Sequence, residues 1–237
     1  MTNRRAIPEE IKRKVRKRCR FGCVICGNPI VEYEHIKEYH KERAHEEKNI
    51  TLLCPNHHSM VTKGLISKDV VIQSNKNPFN NDKSKSKSIS LIFNNDIARL
   101  YMGDNVFIQE PFQNEDIFTC LEINQKKIIY FKKEEGVLLF SCFIFDKIGN
   151  AIFAMLNNEL VFSLKKWDVT LIGKSLIIRE ASRDIILDIS FGEDVRINKM
   201  NLLFDKRNII IKNNNLIIGG NVFSGLKVTN CEIAVSI

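Results

Sequence analysis

The segment Cys23-Val24-Ile25-Cys26-Gly27, followed 28 residues after its second cysteine by Cys54-Pro55-Asn56-His57, decides how the first part of this chain folds. In each segment two residues separate the metal-binding side chains, so a tight turn can bring both of them to one ion. Three thiolates and one imidazole form the closed tetrahedral set that structural zinc prefers. We therefore predict a structural zinc site of Cys23, Cys26, Cys54 and His57. His58 is the alternative fourth ligand, and the alternative to a zinc site is that the four side chains are simply buried without a metal.

Secondary structure around these segments follows from the same stretch. Residues 30–36 and 50–53 carry strand-forming residues, and residues 55–63 form a predicted helix with Pro55 in its first turn and Gly64 at its end. A second helix is predicted over residues 8–20, where Ile11, Val15 and Cys19 recur every four residues. The first part of the chain is therefore expected to combine a short hairpin with helices.

Two further groups of residues stand between and beside the zinc ligands: Glu34-His35-Ile36, and Asn49 through His58, which reads Asn-Ile-Thr-Leu-Leu-Cys-Pro-Asn-His-His. Taken together with the cysteine pairs, this order resembles the zinc-braced HNH endonucleases over about residues 19–66. The resemblance implies a β-hairpin and a helix around a catalytic metal, the ββα-metal arrangement. It also implies an enzyme that hydrolyses phosphodiester bonds.

Roles for individual residues come from that resemblance. His35 matches the general base that takes a proton from the attacking water, and a neutral imidazole near pH 7 suits this role. Glu34, where most members have Asp, and His58 match the protein ligands of a catalytic Mg²⁺ or Mn²⁺. Asn49 matches the middle Asn, which either orients the base through a backbone contact or touches the metal. Both roles of Asn49 stay open at this point.

Positive charge is concentrated in the same part of the chain. Residues 1–68 contain 15 Lys and Arg against 8 Asp and Glu, whereas the remaining residues contain 21 against 20. A charge run is usually a solvated face, but beside a nuclease motif we predict that it binds nucleic-acid phosphates. The predicted binding residues are Lys12, Arg13, Lys14, Arg16, Lys17, Arg18, Arg20 and Lys63. His40 and His45, in the loop between the motifs, are expected to be solvated, with phosphate or base contact as the alternative.

The later part of the chain has a different composition. Residues 74–88 are polar and lack apolar periodicity, which predicts a linker between a nuclease domain at 1–73 and a domain at 89–237. In residues 89–237, β-type runs alternate with turn residues every 8–12 positions, which is typical of an all-β sandwich, barrel or meander. The predicted fold class is therefore two-domain α+β: a zinc-braced ββα-metal domain followed by an all-β domain.

The HNH resemblance and the composition together predict what the protein does and where it acts. We predict a cytoplasmic HNH endonuclease that acts on DNA without a membrane partner, and analogy to small two-domain HNH proteins points to defence against foreign DNA. A catalytically silent zinc-finger-like adaptor and an RNA-directed nuclease are the alternatives. Residues 89–237 would serve as a sensor, as a partner-binding module or as a homo-oligomerisation scaffold. Their cysteines, Cys120, Cys142 and Cys231, are expected to be ordinary buried residues.

Overall fold

The computed structural model describes residues 6–36, 45–92 and 96–237 and divides the chain into two compact units. Unit 1 consists of residues 1–87 together with Trp167–Val169, and unit 2 consists of residues 88–166 and 170–237. In the described ranges, no helix is long and apolar enough to cross a membrane.

Unit 1 contains three helices and a two-stranded antiparallel hairpin among its described residues. The helices are α1 (Glu9–Arg18), α2 (Pro55–Thr62) and α3 (Lys68–Lys76), and the strands are β1 (Glu32–His35) and β2 (Ile50–Leu53). Glu32 pairs with Leu53 and His35 pairs with Ile50, so the motif residues 34 and 35 lie at the end of the hairpin where residue 49 enters β2. A single 3-10 turn, Glu47–Asn49, leads into that strand.

A small apolar core holds unit 1 together. The predicted stripe of α1 packs through Val15 and Cys19 against Ile50 and Leu52 of β2 and Val71 of α3, all of which are buried. Alternate strand residues and every fourth helix residue face the same side, which explains why these positions meet. The core has nine buried residues, and two of them are predicted zinc ligands. Such a core is small for a domain that folds alone.

The segment predicted as a linker, residues 74–88, differs in structure from that prediction. Its first residues form the last turn of α3, and Asn80 is buried with only 1% of its surface exposed. The Asn80 side-chain amide donates hydrogen bonds to the carbonyl oxygens of Arg20 and Gly27. Polar sequence without periodicity therefore does not mean a mobile connection here, because an asparagine can replace apolar packing with hydrogen bonds to turn carbonyls.

Unit 2 is built almost entirely from antiparallel sheet, which confirms the predicted fold class of a small helix-and-hairpin region followed by an all-β domain. One sheet has six strands in the order β3-β10-β9-β8-β7-β6. Its strands are β3 (Ile89–Ser90), β6 (Ile117–Ile123), β7 (Lys126–Glu134), β8 (Val137–Phe145), β9 (Ala151–Leu156) and β10 (Glu159–Phe162). From β6 to β10 neighbouring strands are consecutive in the chain, so this part of the sheet is a meander.

The second sheet has ten strands and begins as another meander, β11 to β17. Those seven strands are β11 (Asp168–Ile172), β12 (Ser175–Ala181), β13 (Asp184–Phe191), β14 (Val195–Phe204), β15 (Arg207–Lys212), β16 (Asn215–Ile218) and β17 (Asn221–Phe223). The other three are β4 (Ala98–Met102), β5 (Asn105–Gln109) and β18 (Lys227–Thr229). Here β4 joins β14 in parallel and pairs with β5, while β18 runs parallel to β5.

The abundant asparagines of unit 2 have a conformational role in its hairpins. Asn157 and Asn158 connect β9 to β10 with φ angles of 48° and 66°, and Asn213 and Asn214 connect β15 to β16 with φ angles of 49° and 63°. Two consecutive residues in the left-handed region form the turn whose twist matches antiparallel strands, and Asn tolerates that region better than most residues. These turns explain the regular spacing of turn residues in the sequence.

All seven cysteines lie in described ranges and are free thiols. Cys120 and Cys142 are buried in unit 2, as expected, whereas Cys231 is only half-buried. Burial raises the pKa of the Cys120 thiol well above its ordinary value, so this side chain behaves as a small apolar group.

Candidate active site and metal centre

The four predicted zinc ligands converge in unit 1. The ligand atoms of Cys23, Cys26, Cys54 and His57 all lie within 4.8 Å of one another. The Sγ atoms of Cys26 and Cys54 are 3.8 Å apart, and Nδ1 of His57 lies 3.4 Å from Sγ of Cys23 and 3.3 Å from Sγ of Cys54. A tetrahedral zinc with ordinary bond lengths sets sulfurs about 3.8 Å apart and sulfur and nitrogen about 3.5 Å apart. The donor set and its spacing therefore fit zinc.

Local backbone structure brings these ligands together. The amide of Gly27 donates to the carbonyl of Cys23, which closes the first turn, and Gly27 has a φ of 75°. A Cβ at Gly27 would meet the Phe79 ring at 2.5 Å, so this position requires glycine. Burial raises the pKa of Cys23 to about 12. Zinc binding by this thiol would therefore release a proton.

The predicted catalytic ligands also meet. Nε2 of His58 lies 2.9 Å from Oε2 of Glu34. The second ring nitrogen, Nδ1, lies 3.2 Å from Oε2 of Glu32, a residue outside the predicted site. Strand alternation places residues 32 and 34 on one face of β1, but the sequence does not show that this face meets His58. The imidazole of His58 is thus placed between two carboxylates.

His58 is held next to the zinc ligands by the helix on which it lies. The amide of His58 donates to the carbonyl of Cys54 at 2.8 Å, and His57 and His58 point to different partners from adjacent positions of α2. The side chains of His58 and Glu34 are 33% and 23% exposed. A hydrated cation and a phosphate group can therefore reach them from solvent.

His35 lies at the end of β1, beside Glu34. Its Nε2 is 3.3 Å from Nδ1 of His45, with the ring centroids 5.5 Å apart. Burial lowers the pKa of His35 most, the neighbouring His45 lowers it further, and the charge of Glu34 raises it; the net effect is a lowered pKa. His45 was expected to be solvated and is instead a half-buried neighbour of His35. His40 lies outside the described residues.

Asn49 contacts the hairpin through its backbone. Its carbonyl accepts a hydrogen bond of 2.8 Å from the amide of Ile36, the residue after His35. The Asn49 side chain is buried and donates to Oε2 of Glu46 at 3.2 Å. Of the two roles left open by the sequence, these contacts favour orientation of the strand that carries His35.

Residues predicted to bind nucleic acid differ in their surroundings. Arg16 is 5% exposed, and its guanidinium donates to both carboxylate oxygens of Asp168 and to Tyr33. Burial opposes the charge of Arg16, but the hydrogen bonds and charges of Asp168, Tyr33 and Glu9 outweigh it and raise its pKa. A guanidinium held in this way contributes to the structure of unit 1 and cannot reach a phosphate without breaking a buried ion pair.

The other basic residues of the set are more accessible. Lys14 and Lys17 of α1 and Lys63 after α2 are exposed. Lys12 lies near the Tyr33 ring and Glu9. All four arginines of the set contact side chains or carbonyls of the protein: Arg13 the Trp167 ring, Arg16 as described, Arg18 Glu47 and the Ile50 carbonyl, and Arg20 the Lys83 carbonyl.

Comparison with known families agrees with this arrangement. Residues 23–64 match the HNH endonuclease family model. The match begins at the first zinc ligand and ends at the glycine after α2, so the HNH segment contains the Cys3His cluster, Glu34, His35, Asn49 and His58. No curated protein and no solved structure matches the chain. The HNH segment therefore lies within unit 1, and no residue of unit 2 belongs to it.

Proposed function

We propose that this protein is a metal-dependent endonuclease that hydrolyses phosphodiester bonds in DNA. The observation that carries the proposal is the pair formed by Glu34 and His58 at 2.9 Å, one residue from His35, within a segment that matches the HNH family. Two cis ligands on an octahedral cation with bonds of about 2.1 Å are about 3.0 Å apart. This donor pair therefore suits Mg²⁺ or Mn²⁺, with waters and phosphate oxygens completing the shell.

Each residue has a part in the proposed reaction. Glu34 and His58 would hold the cation, which supplies stabilisation of charge on the phosphate and the leaving 3′ oxygen. His35, kept neutral at pH 7 by its lowered pKa, takes the proton from the attacking water. The backbone carbonyl of Asn49 fixes the end of β1 and so orients the imidazole.

Substrate binding follows from charge. The exposed Lys14, Lys17 and Lys63 would contact backbone phosphates, together with the half-buried Lys12. Such contacts release condensed counterions and attract nucleic acid without regard to base sequence. Two further roles stay predictions. One is defence against foreign DNA, and the other is a sensor, partner-binding or oligomerisation role for residues 89–237.

Plasmid cleavage by the zinc-loaded full-length protein tests the proposal. Nicked or linear product should form with added Mg²⁺ or Mn²⁺ and not without it. Added cation should be omitted rather than chelated, because a chelator would also remove zinc. In His35→Ala the cleavage rate should fall by about 10²–10⁴-fold, the usual contribution of a general base, while DNA binding and zinc content stay unchanged.

The control is Glu135→Gln, an exposed residue in the turn between β7 and β8, which should cleave like wild type. A parallel panel of duplex DNA, single-stranded DNA and RNA identifies the substrate. Cutting of RNA alone would contradict the DNA assignment. DNA binding without cleavage under every cation would contradict the enzyme and leave the zinc-finger-like adaptor.

A further inference from the structure

The placement of His58 between two glutamates sets a constraint on charge. Both ring nitrogens face a carboxylate oxygen, Nδ1 that of Glu32 at 3.2 Å and Nε2 that of Glu34 at 2.9 Å. A neutral imidazole has one N–H and one lone pair, so it can donate to only one of the two carboxylates. The other nitrogen and its carboxylate must then share a cation, either a proton or a metal ion.

The two carboxylates that face the ring differ in distance and, more clearly, in exposure. The contact between Nε2 and Glu34 matches the spacing of about 3.0 Å expected for neighbouring ligands of an octahedral cation. Glu34 immediately precedes His35 in β1, so a cation there would lie one residue along the strand from the proposed base. The Glu32 side chain is 50% exposed, about twice as much as that of Glu34. A half-exposed carboxylate is well suited to accept a hydrogen bond.

The backbone on both sides of this contact is fixed by other interactions. Residues 32 and 34 lie on one face of β1, which pairs along its whole length with β2. On the opposite side, the His58 amide is bonded to the carbonyl of the zinc ligand Cys54. The first turn of α2 thus fixes the backbone of His58 next to Cys54, whereas the rotation of its ring depends on side-chain contacts.

We propose that Glu32 is the positioning residue of the catalytic cation site: it accepts a hydrogen bond from Nδ1–H of His58 and so directs the Nε2 lone pair toward the cation that Glu34 shares. The proposal rests on the proposed function for the role of the cation. A carboxylate behind a ligating histidine fixes its tautomer and raises its basicity, and loss of such a partner typically costs 10–100-fold in metal affinity or activity.

Mn²⁺ affinity of the zinc-loaded full chain gives the first test. Titration should show one Mn²⁺ site in wild type that is lost in Glu34→Ala. Glu32→Ala should bind Mn²⁺ about 10–100-fold more weakly. Glu32→Gln should be affected less, because its amide oxygen still accepts a hydrogen bond. Glu135→Gln is the matched control for loss of one exposed carboxylate.

Ring nitrogen NMR gives a readout that a purely structural role would not change. At about pH 8, where an ordinary histidine is neutral, His58 with bound Mg²⁺ should carry its proton on Nδ1. In cation-free Glu32→Ala the population should move toward Nε2–H, while zinc content stays at the wild-type level.

Three outcomes would overturn the role of Glu32: an affinity of Glu32→Ala within twofold of wild type, a loss in Glu32→Ala as complete as in Glu34→Ala, or an Nε2–H tautomer in the Mg²⁺-bound wild type. The proposed function fails in a different way. Wild type that binds Mn²⁺ with the expected pattern but cuts no nucleic acid would contradict the nuclease and retain the positioning role.

Discussion

At the scale of single residues, the surroundings of His35 determine the pKa of its imidazole. An ordinary histidine is half protonated near pH 6.5 and is a weak base below that pH. Burial and the adjacent His45 disfavour the charged form of His35, and the opposing charge of Glu34 does not compensate, so the pKa is lowered. The neutral imidazole is therefore the main form at pH 7, as proton abstraction from water requires.

This lowered pKa predicts the pH dependence of cleavage. Below the pKa His35 is protonated and inactive, and above it the rate levels, so the acidic limb should have its midpoint below 6.5. A cation at Glu34 would lower the pKa further, in the same direction. His45→Ala removes a neighbour that lowers the pKa of His35, together with some burial, so the midpoint should move to higher pH. Single-turnover rates across about pH 5 to 8 measure both midpoints. A wild-type midpoint above 6.5 would contradict the argument.

The sequence carried most of the chemistry at this scale but not its geometry. The order of Glu34, His35, Asn49 and His58 predicts a shared site, and Glu34 and His58 lie in contact. Glu32 was missed because its partner lies on α2, and only the strand register and the helix position bring the two together. The contact of His45 depends on the path of the loop before it, which no periodicity describes.

At the scale of elements, α1 shows how a basic sequence is divided between structure and surface. The helix was predicted over 8–20 and spans Glu9–Arg18, with acidic residues in its first turn and basic residues in its last, which suits the helix dipole. The sequence could not show which basic side chains are committed to the protein. The partner of Arg16 is Asp168, 152 positions away in the chain, and no local pattern predicts such a pair.

Nucleic-acid affinity should therefore depend on the exposed lysines of α1. Lys14→Ala with Lys17→Ala should weaken DNA binding uniformly across sequences and reduce the salt slope of the affinity by about 0.9 per lost phosphate contact. Binding isotherms at several salt concentrations measure this slope. The matched control replaces Lys206 and Lys212, two exposed lysines of unit 2, with alanine. Equal losses in both double variants would indicate a general effect of net charge instead of a binding surface on α1.

At the scale of the whole molecule, a different sequence pattern predicts each of the two units. Metal-ligand spacing predicted the centre of unit 1, and turn spacing predicted that unit 2 is all β. The order of strands was beyond prediction, because the parallel pairing of β4 with β14 and of β18 with β5 joins segments that are far apart in the chain. Similar apolar runs can pair in many orders, and only packing of the complete chain selects one.

The two units should also respond differently to loss of zinc. Unit 1 has nine buried core residues, and its ligands connect the loop after α1, the end of β2 and the start of α2. Structural zinc contributes about 10–16 kcal/mol to folding of small zinc domains, so a chelator should unfold unit 1. Unit 2, with its extensive sheets, should stay folded. Hydrogen exchange should then show fast amides in β1 and β2 and protected amides in β7 and β8.

Cys26→Ser should reproduce this result without a chelator, whereas Cys231→Ser, which replaces a half-buried thiol of unit 2, should not. Protection of β1 and β2 in zinc-free protein would show that the apolar core alone is sufficient, and it would remove the structural role of the Cys3His cluster.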